Sequence, residues 1–163
     1  MHQTIWFQEH LASPLGDVLN AAAGAVEEVD YKVAPSAGIR TAEVTAAIRG
    51  PLAGLGFTLP EGGVQLATAS SRQGADGTVV ADGYDAHFGV SVHVHGGRAR
   101  TNNEALYSVL RAAAAADVLA CALVVPATYK GGQCALPIVR QLEELSSWAG
   151  ISLSLQAACV IAY

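Results

Sequence analysis

The chain has 163 residues, enough for one domain with a substantial core, and its 52% hydrophobic and 14% charged residues exclude a disordered protein. The formal net charge of −5 and the absence of a basic run disfavour a protein that holds duplex DNA by its phosphates. No apolar run approaches the ~18 residues of a membrane span. The amino-terminal MHQTIWFQEH does not resemble a secretion signal, and the three cysteines lie far apart in apolar contexts typical of reduced thiols. We therefore expect a cytoplasmic protein with no membrane partner.

The amino-terminal half of the chain predicts helices and then apolar strand segments. Apolar residues at helical spacing follow a Ser-Pro pair, which is typical of a helix start, and a Gly-Pro pair is expected to end the second helix. The predicted elements are a helix that begins at Pro14 and ends near Glu28, a short strand from Tyr31 to Val33, a helix from Thr41 to Ile48, a loop over 50–63 and an apolar segment from Val64 to Ala69.

The carboxy-terminal half predicts a hairpin followed by alternating helices and strands. In the second hairpin strand, valines alternate with Ser91, His93 and His95, so one face is apolar and the other polar. The predicted elements are strands over 79–85 and 88–95, a helix over 102–116, a buried strand over 118–125, a helix over 133–148 and a strand from Ile151 to Tyr163. This order predicts one α/β domain over 1–163, with a mixed central sheet flanked by helices on both faces.

The segment DAHFGVSVHVHGG contains the strongest candidate site. His93 and His95 are two residues apart on a predicted strand and so project from the same face, while Asp85 lies at the near end of the neighbouring strand. Two imidazoles and one carboxylate form a facial ligand set that suits Fe, Zn or Mn, and such an ion activates water or polarises a substrate oxygen. We predict Asp85, His93 and His95 as metal ligands and catalytic residues. The alternative is that both histidines are ordinary polar positions on a half-solvated sheet face.

These segments also carry a family resemblance. The run VVADGYDAHFGVSVHVHGG, the helix TNNEALYSVLRAAAAAD and the strand VLACALVVP resemble the core of the PD-(D/E)xK nuclease superfamily, and in detail type II restriction endonucleases of the Bgl type. The likeness covers about residues 41–155 and implies a restriction-endonuclease-like fold, commonly dimeric. It places Asp85 at the metal-binding Asp, His93 at the second acidic position, His95 at the Lys or Gln position, and Glu43 at a helical Glu of the active site.

The chain departs from that family pattern at the two histidines. Replacing a carboxylate by imidazole removes a hard oxygen ligand, which should weaken Mg²⁺ binding and favour a divalent transition metal. Cationic and aromatic residues near the same end of the sheet suggest that the substrate is small and anionic. The predicted substrate-binding residues are Arg98, Arg100, Tyr129 and Lys130.

The leading functional hypothesis is a repurposed, transition-metal-dependent enzyme that acts on a small molecule through a two-His, one-Asp site. One alternative is a metal-dependent DNA endonuclease of the restriction type, which the acidic charge disfavours. Another is a non-catalytic relative that acts as a partner or regulatory protein. A cupin barrel also uses His-x-His on a strand, but the next acidic residue, Glu104, lies on a predicted helix and no histidine follows His95.

Overall fold

A computed structural model of the chain describes residues 1–8, 14–31, 40–68, 77–97, 99–100, 103–148, 150 and 152–163. The described part contains four helices and nine strands. In chain order they are β1 (His2–Trp6), α1 (Pro14–Glu27), α2 (Thr41–Ala53), β2 (Val64–Ala67), β3 (Thr78–Ala81), β4 (Gly83–Asp85), β5 (Val90–Val94), α3 (Glu104–Ala114), β6 (Ala120–Val125), β7 (Thr128–Tyr129), β8 (Gly132–Gln133), α4 (Ala135–Ser147) and β9 (Ala157–Ala162).

A five-stranded mixed sheet forms the centre of the molecule, in the order β1-β9-β6-β5-β4. Strands β5, β6 and β9 are parallel, while the two outer strands, β1 and β4, run antiparallel to their neighbours. Every residue of β6 and β9 is buried. Their continuous runs, ACALVV and AACVIA, are the pattern expected of strands covered on both faces.

Two apolar cores lie on opposite faces of this sheet. One contains the buried faces of α3 and α4, with Cys121 and Leu123 of β6. The other contains the buried faces of α1 and α2, with Ala122 and Val124 of the same strand. The predicted mixed sheet with helices on both faces is therefore confirmed. In the described part of the chain, no helix is both long and apolar enough to cross a membrane.

The second helix extends beyond its predicted end. It passes through the Gly-Pro pair and continues to Ala53, with Pro51 inside it. Proline lacks one backbone donor, so within the last turn it removes one helical hydrogen bond. The extension brings Leu52 to 1% exposure in the core, and this burial offsets the loss.

One strand prediction was wrong and three strands were missed. In the alternating ISLSL segment, the described residues 152–155 do not form a strand, and the last strand begins at Ala157 instead. Tyr31 lies outside any strand, and the rest of its predicted segment lies outside the described residues. The missed strands are β7 and β8, of two residues each, and β1. In β1 only Ile5 is buried, so the sequence of this edge strand shows little apolar alternation.

The predicted strand over 79–85 is divided by a bend at Asp82. The first part, β3, pairs with β2 in a separate two-stranded sheet, and only β4 pairs with β5. The Asp82 carboxylate accepts a hydrogen bond from the Val94 N–H at 2.7 Å. In a regular ladder, the acceptor of this hydrogen bond would be a backbone carbonyl. The side chain of Asp82 accepts it instead, so Asp82 lies beside the end of β5.

Candidate active site at the end of strand β5

His93 lies in the interior, on the face of the sheet that α3 and α4 cover. Its register partner on β6 is Leu123, a member of that core. The imidazole is 4% exposed, and its Nε2 lies 3.2 Å from the Ser91 hydroxyl oxygen. Burial, with smaller contributions from His95 and Arg111, lowers the pKa of His93 to about 3. His93 is therefore a neutral, hydrogen-bonded interior side chain at ordinary pH.

His95 follows β5 directly and is held by its backbone. Its N–H donates to the Val124 carbonyl at 2.8 Å, and its carbonyl accepts from the Tyr163 hydroxyl at 3.0 Å. Burial lowers the pKa of the imidazole, against the opposing effects of Asp82 and Glu104. Nε2 is buried and has no hydrogen-bond partner among the described residues. Buried polar atoms in folded proteins nearly always have a partner, so this nitrogen is unusual among the described residues.

Asp85 lies on the opposite face of the sheet from His93. It pairs in register with Val90, which belongs to the core under α1 and α2. Its Oδ1 accepts hydrogen bonds from the backbone N–H groups of His87 at 2.8 Å and Phe88 at 3.3 Å. The carboxylate, 3% exposed, thus stabilises the turn between β4 and β5.

The predicted trio of Asp85, His93 and His95 therefore does not surround one point. Neighbouring residues on a strand face opposite sides, and the hairpin register places the aspartate on the side away from the histidines. Within the described residues, no three His, Cys, Asp or Glu side chains are grouped so that they could hold a metal ion.

Asp82 is the carboxylate that lies near His95, and the sequence prediction missed it. Burial raises the pKa of its carboxyl group, while the Val94 N–H and the charge of His95 act in the opposite direction. The available signal was the Asp-Gly pair at Asp82 and Gly83, which interrupts the apolar strand pattern. A Cβ at Gly83 would lie 2.6 Å from Leu59 Cγ, so glycine allows close approach at this bend.

An open cleft of about 600 Å³ lies between α2 and the segment after it, with Asp82 in its wall. Arg49 also lines the cleft, and its Nε is buried with no hydrogen-bond partner in the described part of the chain. The remaining lining residues are Thr41, Ala42, Thr45, Ala46, Pro60, Glu61, Gly62 and Gly63.

Glu43, Arg100, Tyr129 and Lys130 do not line this cleft. Glu43 is exposed in the first turn of α2, where its Oε2 accepts the Arg40 N–H at 3.2 Å, so its hydrogen bond caps the helix. Arg100 and Tyr129 line a separate cavity, and Lys130 lies over the Tyr129 ring. Arg98 is outside the described residues.

Comparisons of the chain with protein-family models, with curated proteins and with solved structures found no match.

Proposed function

We propose that this chain is a metal-dependent enzyme that acts on a small molecule at the end of β5, with Asp82 and His95 as its reactive groups. The observation that carries the proposal is the buried Nε2 of His95, which has no hydrogen-bond partner among the described residues. It lies near the carboxylate of Asp82, which lines a cleft. A neutral imidazole nitrogen and a carboxylate oxygen are the donors that Zn, Fe and Mn share.

The donor set fits an ion held by two protein ligands, and it does not fit the predicted three-ligand facial site. His93 already contacts Ser91. Asp85 lies on the opposite face of the sheet and accepts two backbone N–H groups, whereas Asp82 accepts one, from Val94. Asp82 and His95 would hold the ion, and water and substrate oxygens would fill its other positions. When bound, such an ion supplies a Lewis acid that polarises an oxygen or lowers the pKa of water.

The chain's own residues supply one further group at the end of β5 and one in the cleft that Asp82 lines. His95 is neutral at ordinary pH because burial lowers its pKa, so its nitrogen lone pair is available. The unpartnered Nε–H of Arg49 can donate to a substrate oxygen within the same cleft. The cleft is lined by one cationic residue, Arg49, and two acidic residues, Glu61 and Asp82. This charge suits a small polar molecule better than a nucleic acid backbone.

Metal titration of chelator-treated protein tests the proposal. Isothermal titration with Zn²⁺, Mn²⁺ and Co²⁺ should show binding of one ion per chain, and Asp82→Asn and His95→Gln should each weaken it about tenfold or more. His87→Gln is the control, because His87 is an exposed histidine on the β4–β5 turn, at the opposite end of β5 from His95. Equal metal binding by wild type and the double variant would contradict the proposal.

Activity assays then separate the functional alternatives. Turnover of small phosphoester, ester or amide substrates that is lost in Asp82→Asn supports the proposal. Metal-dependent cutting of plasmid DNA would favour a restriction-type endonuclease instead. Retention of all measured biological function in the double variant would favour a non-catalytic partner.

A further inference from the structure

A second cavity, of about 220 Å³, lies beyond the carboxyl ends of β5 and β6. In open α/β sheets, ligands bind outside this end of the parallel strands. Its walls come from the segment that follows β5, from the β7–β8 hairpin and from the start of α4. The lining residues are Gly97, Arg100, Tyr129, Gly132, Gln133 and Cys134.

The hairpin geometry fixes the aromatic wall of this cavity. Lys130 and Gly131 have φ values of 50° and 76°, the two positive angles of a type I′ turn. The turn holds the Lys130 Nζ 5.4 Å from the centroid of the Tyr129 ring. A Cβ at Gly97 would lie only 1.9 Å from Tyr129 Cε2, so the ring occupies space that exists because residue 97 has no side chain.

The polar groups around the cavity favour an anion. Arg100 donates from one terminal nitrogen to the Gln133 carbonyl at 2.9 Å. A guanidinium has five N–H donors, so this bond orients the group and leaves further donors for a ligand. Among the residues that the structure describes, the lining contains a guanidinium, a phenol, an amide and a thiol but no carboxylate, although the chain carries a net charge of −5.

We propose that this cavity binds a small oxyanion, namely inorganic phosphate or the terminal phosphate of a small organic molecule. Arg100 would bind the anion, with Tyr129 and Gln133 as neutral hydrogen-bonding walls and Lys130 contributing positive charge at the rim. The volume is below the roughly 300–1,000 Å³ of sites for drug-sized ligands, so a nucleotide base is not expected to be enclosed. The inference is independent of the proposed function, because no lining residue belongs to the Asp82–His95 site.

Phosphate binding at low ionic strength tests this inference. Amide spectra should show saturable shifts at Gly132 and Gln133 on addition of inorganic phosphate. Arg100→Gln should weaken binding about tenfold or more, as expected for a lost charge-assisted hydrogen bond. Arg140→Gln, which removes the same charge from an exposed position on α4, should leave binding nearly unchanged.

Two further variants keep the result interpretable. Gly97→Ala should weaken phosphate binding by displacing the Tyr129 ring, whereas Asp82→Asn should not change it. Glycerol phosphate distinguishes the two sources, since tighter binding than inorganic phosphate indicates an organic phosphate ligand. The inference is overturned if phosphate causes no saturable shifts in folded wild type, or if Arg140→Gln weakens binding as much as Arg100→Gln.

Discussion

Asp82 and Asp85 are three residues apart, yet the hairpin gives them different roles. The sequence prediction selected Asp85 because it begins the turn before His93 and His95. The face of the sheet on which each side chain lies is set by the strand register and by the bend at Asp82. Neither is visible in the order of residue types. His95 stays a predicted site residue, and the sequence could not decide which carboxylate lies beside it.

A structural role for Asp85 predicts a loss of stability on substitution. Asp85→Ala leaves the part-buried N–H groups of His87 and Phe88 without their acceptor, so the free energy of unfolding should fall by about 1–3 kcal/mol. Urea denaturation measures this change. Asp85→Asn retains an acceptor oxygen and should lose less, with metal binding equal to wild type. Abolished metal binding in folded Asp85→Asn would restore the original assignment.

Tyr31 predicts a loss of stability at alkaline pH. Its hydroxyl donates to the Val26 carbonyl at 2.8 Å, and its ring centroid lies 5.0 Å from that of Tyr163. Burial, with a contribution from Tyr163, raises the pKa of Tyr31 to about 12. Because the unfolded phenol has a pKa of about 10, stability present below pH ~10 is lost as pH rises towards 12.

Urea midpoints at pH 9 and pH 11 test the Tyr31 prediction. Wild type should lose stability between the two values, and Tyr31→Phe should lose less, although it begins from a lower midpoint because its hydrogen bond is absent. An equal pH dependence in both proteins would show that Tyr31 does not contribute.

At the scale of secondary-structure elements, alanine substitutions of two glycines are expected to change the stability of the protein in opposite directions. Gly89 ends the β4–β5 turn with φ of +66°, and a Cβ there would lie 2.8 Å from the Asp117 carbonyl oxygen. Gly89→Ala should therefore destabilise the protein by about 1–2 kcal/mol or more. Gly24 lies inside α1 with no atom within 4 Å of an added Cβ, so Gly24→Ala should stabilise by about 0.5–1 kcal/mol. Thermal denaturation compares them, and a shift in the same direction would contradict this account.

The elements that sequence reasoning found best are those with continuous or helical apolar patterns. The buried strand β6 and helices α1, α3 and α4 were predicted close to their observed bounds. Edge strand β1 was missed because one buried residue, Ile5, leaves little periodic signal. The end of α2 was misplaced because burial of Leu52 outweighs the local preference of a Gly-Pro pair.

For the whole molecule, one sheet separates two cores that should respond independently. Ile48 of α2 and Ile138 of α4 are 0% and 2% exposed on opposite faces. Ile48→Val and Ile138→Val should each lower the free energy of unfolding by about 0.5–1.5 kcal/mol. The double variant should equal the sum within ~0.5 kcal/mol. Urea denaturation in a single cooperative transition measures all three, and a larger deviation would show that the sheet couples the two layers.

The pairing of β1 with β9 sets the order in which the molecule can be completed. His2 lies opposite Ile161, so β1 is synthesised early but can pair only after β9 has been synthesised. Until then, the backbone donors and acceptors of β1 have no ladder, and one edge of β6 is open. Such a distant contact slows folding and prolongs exposure of strand edges to other nascent chains.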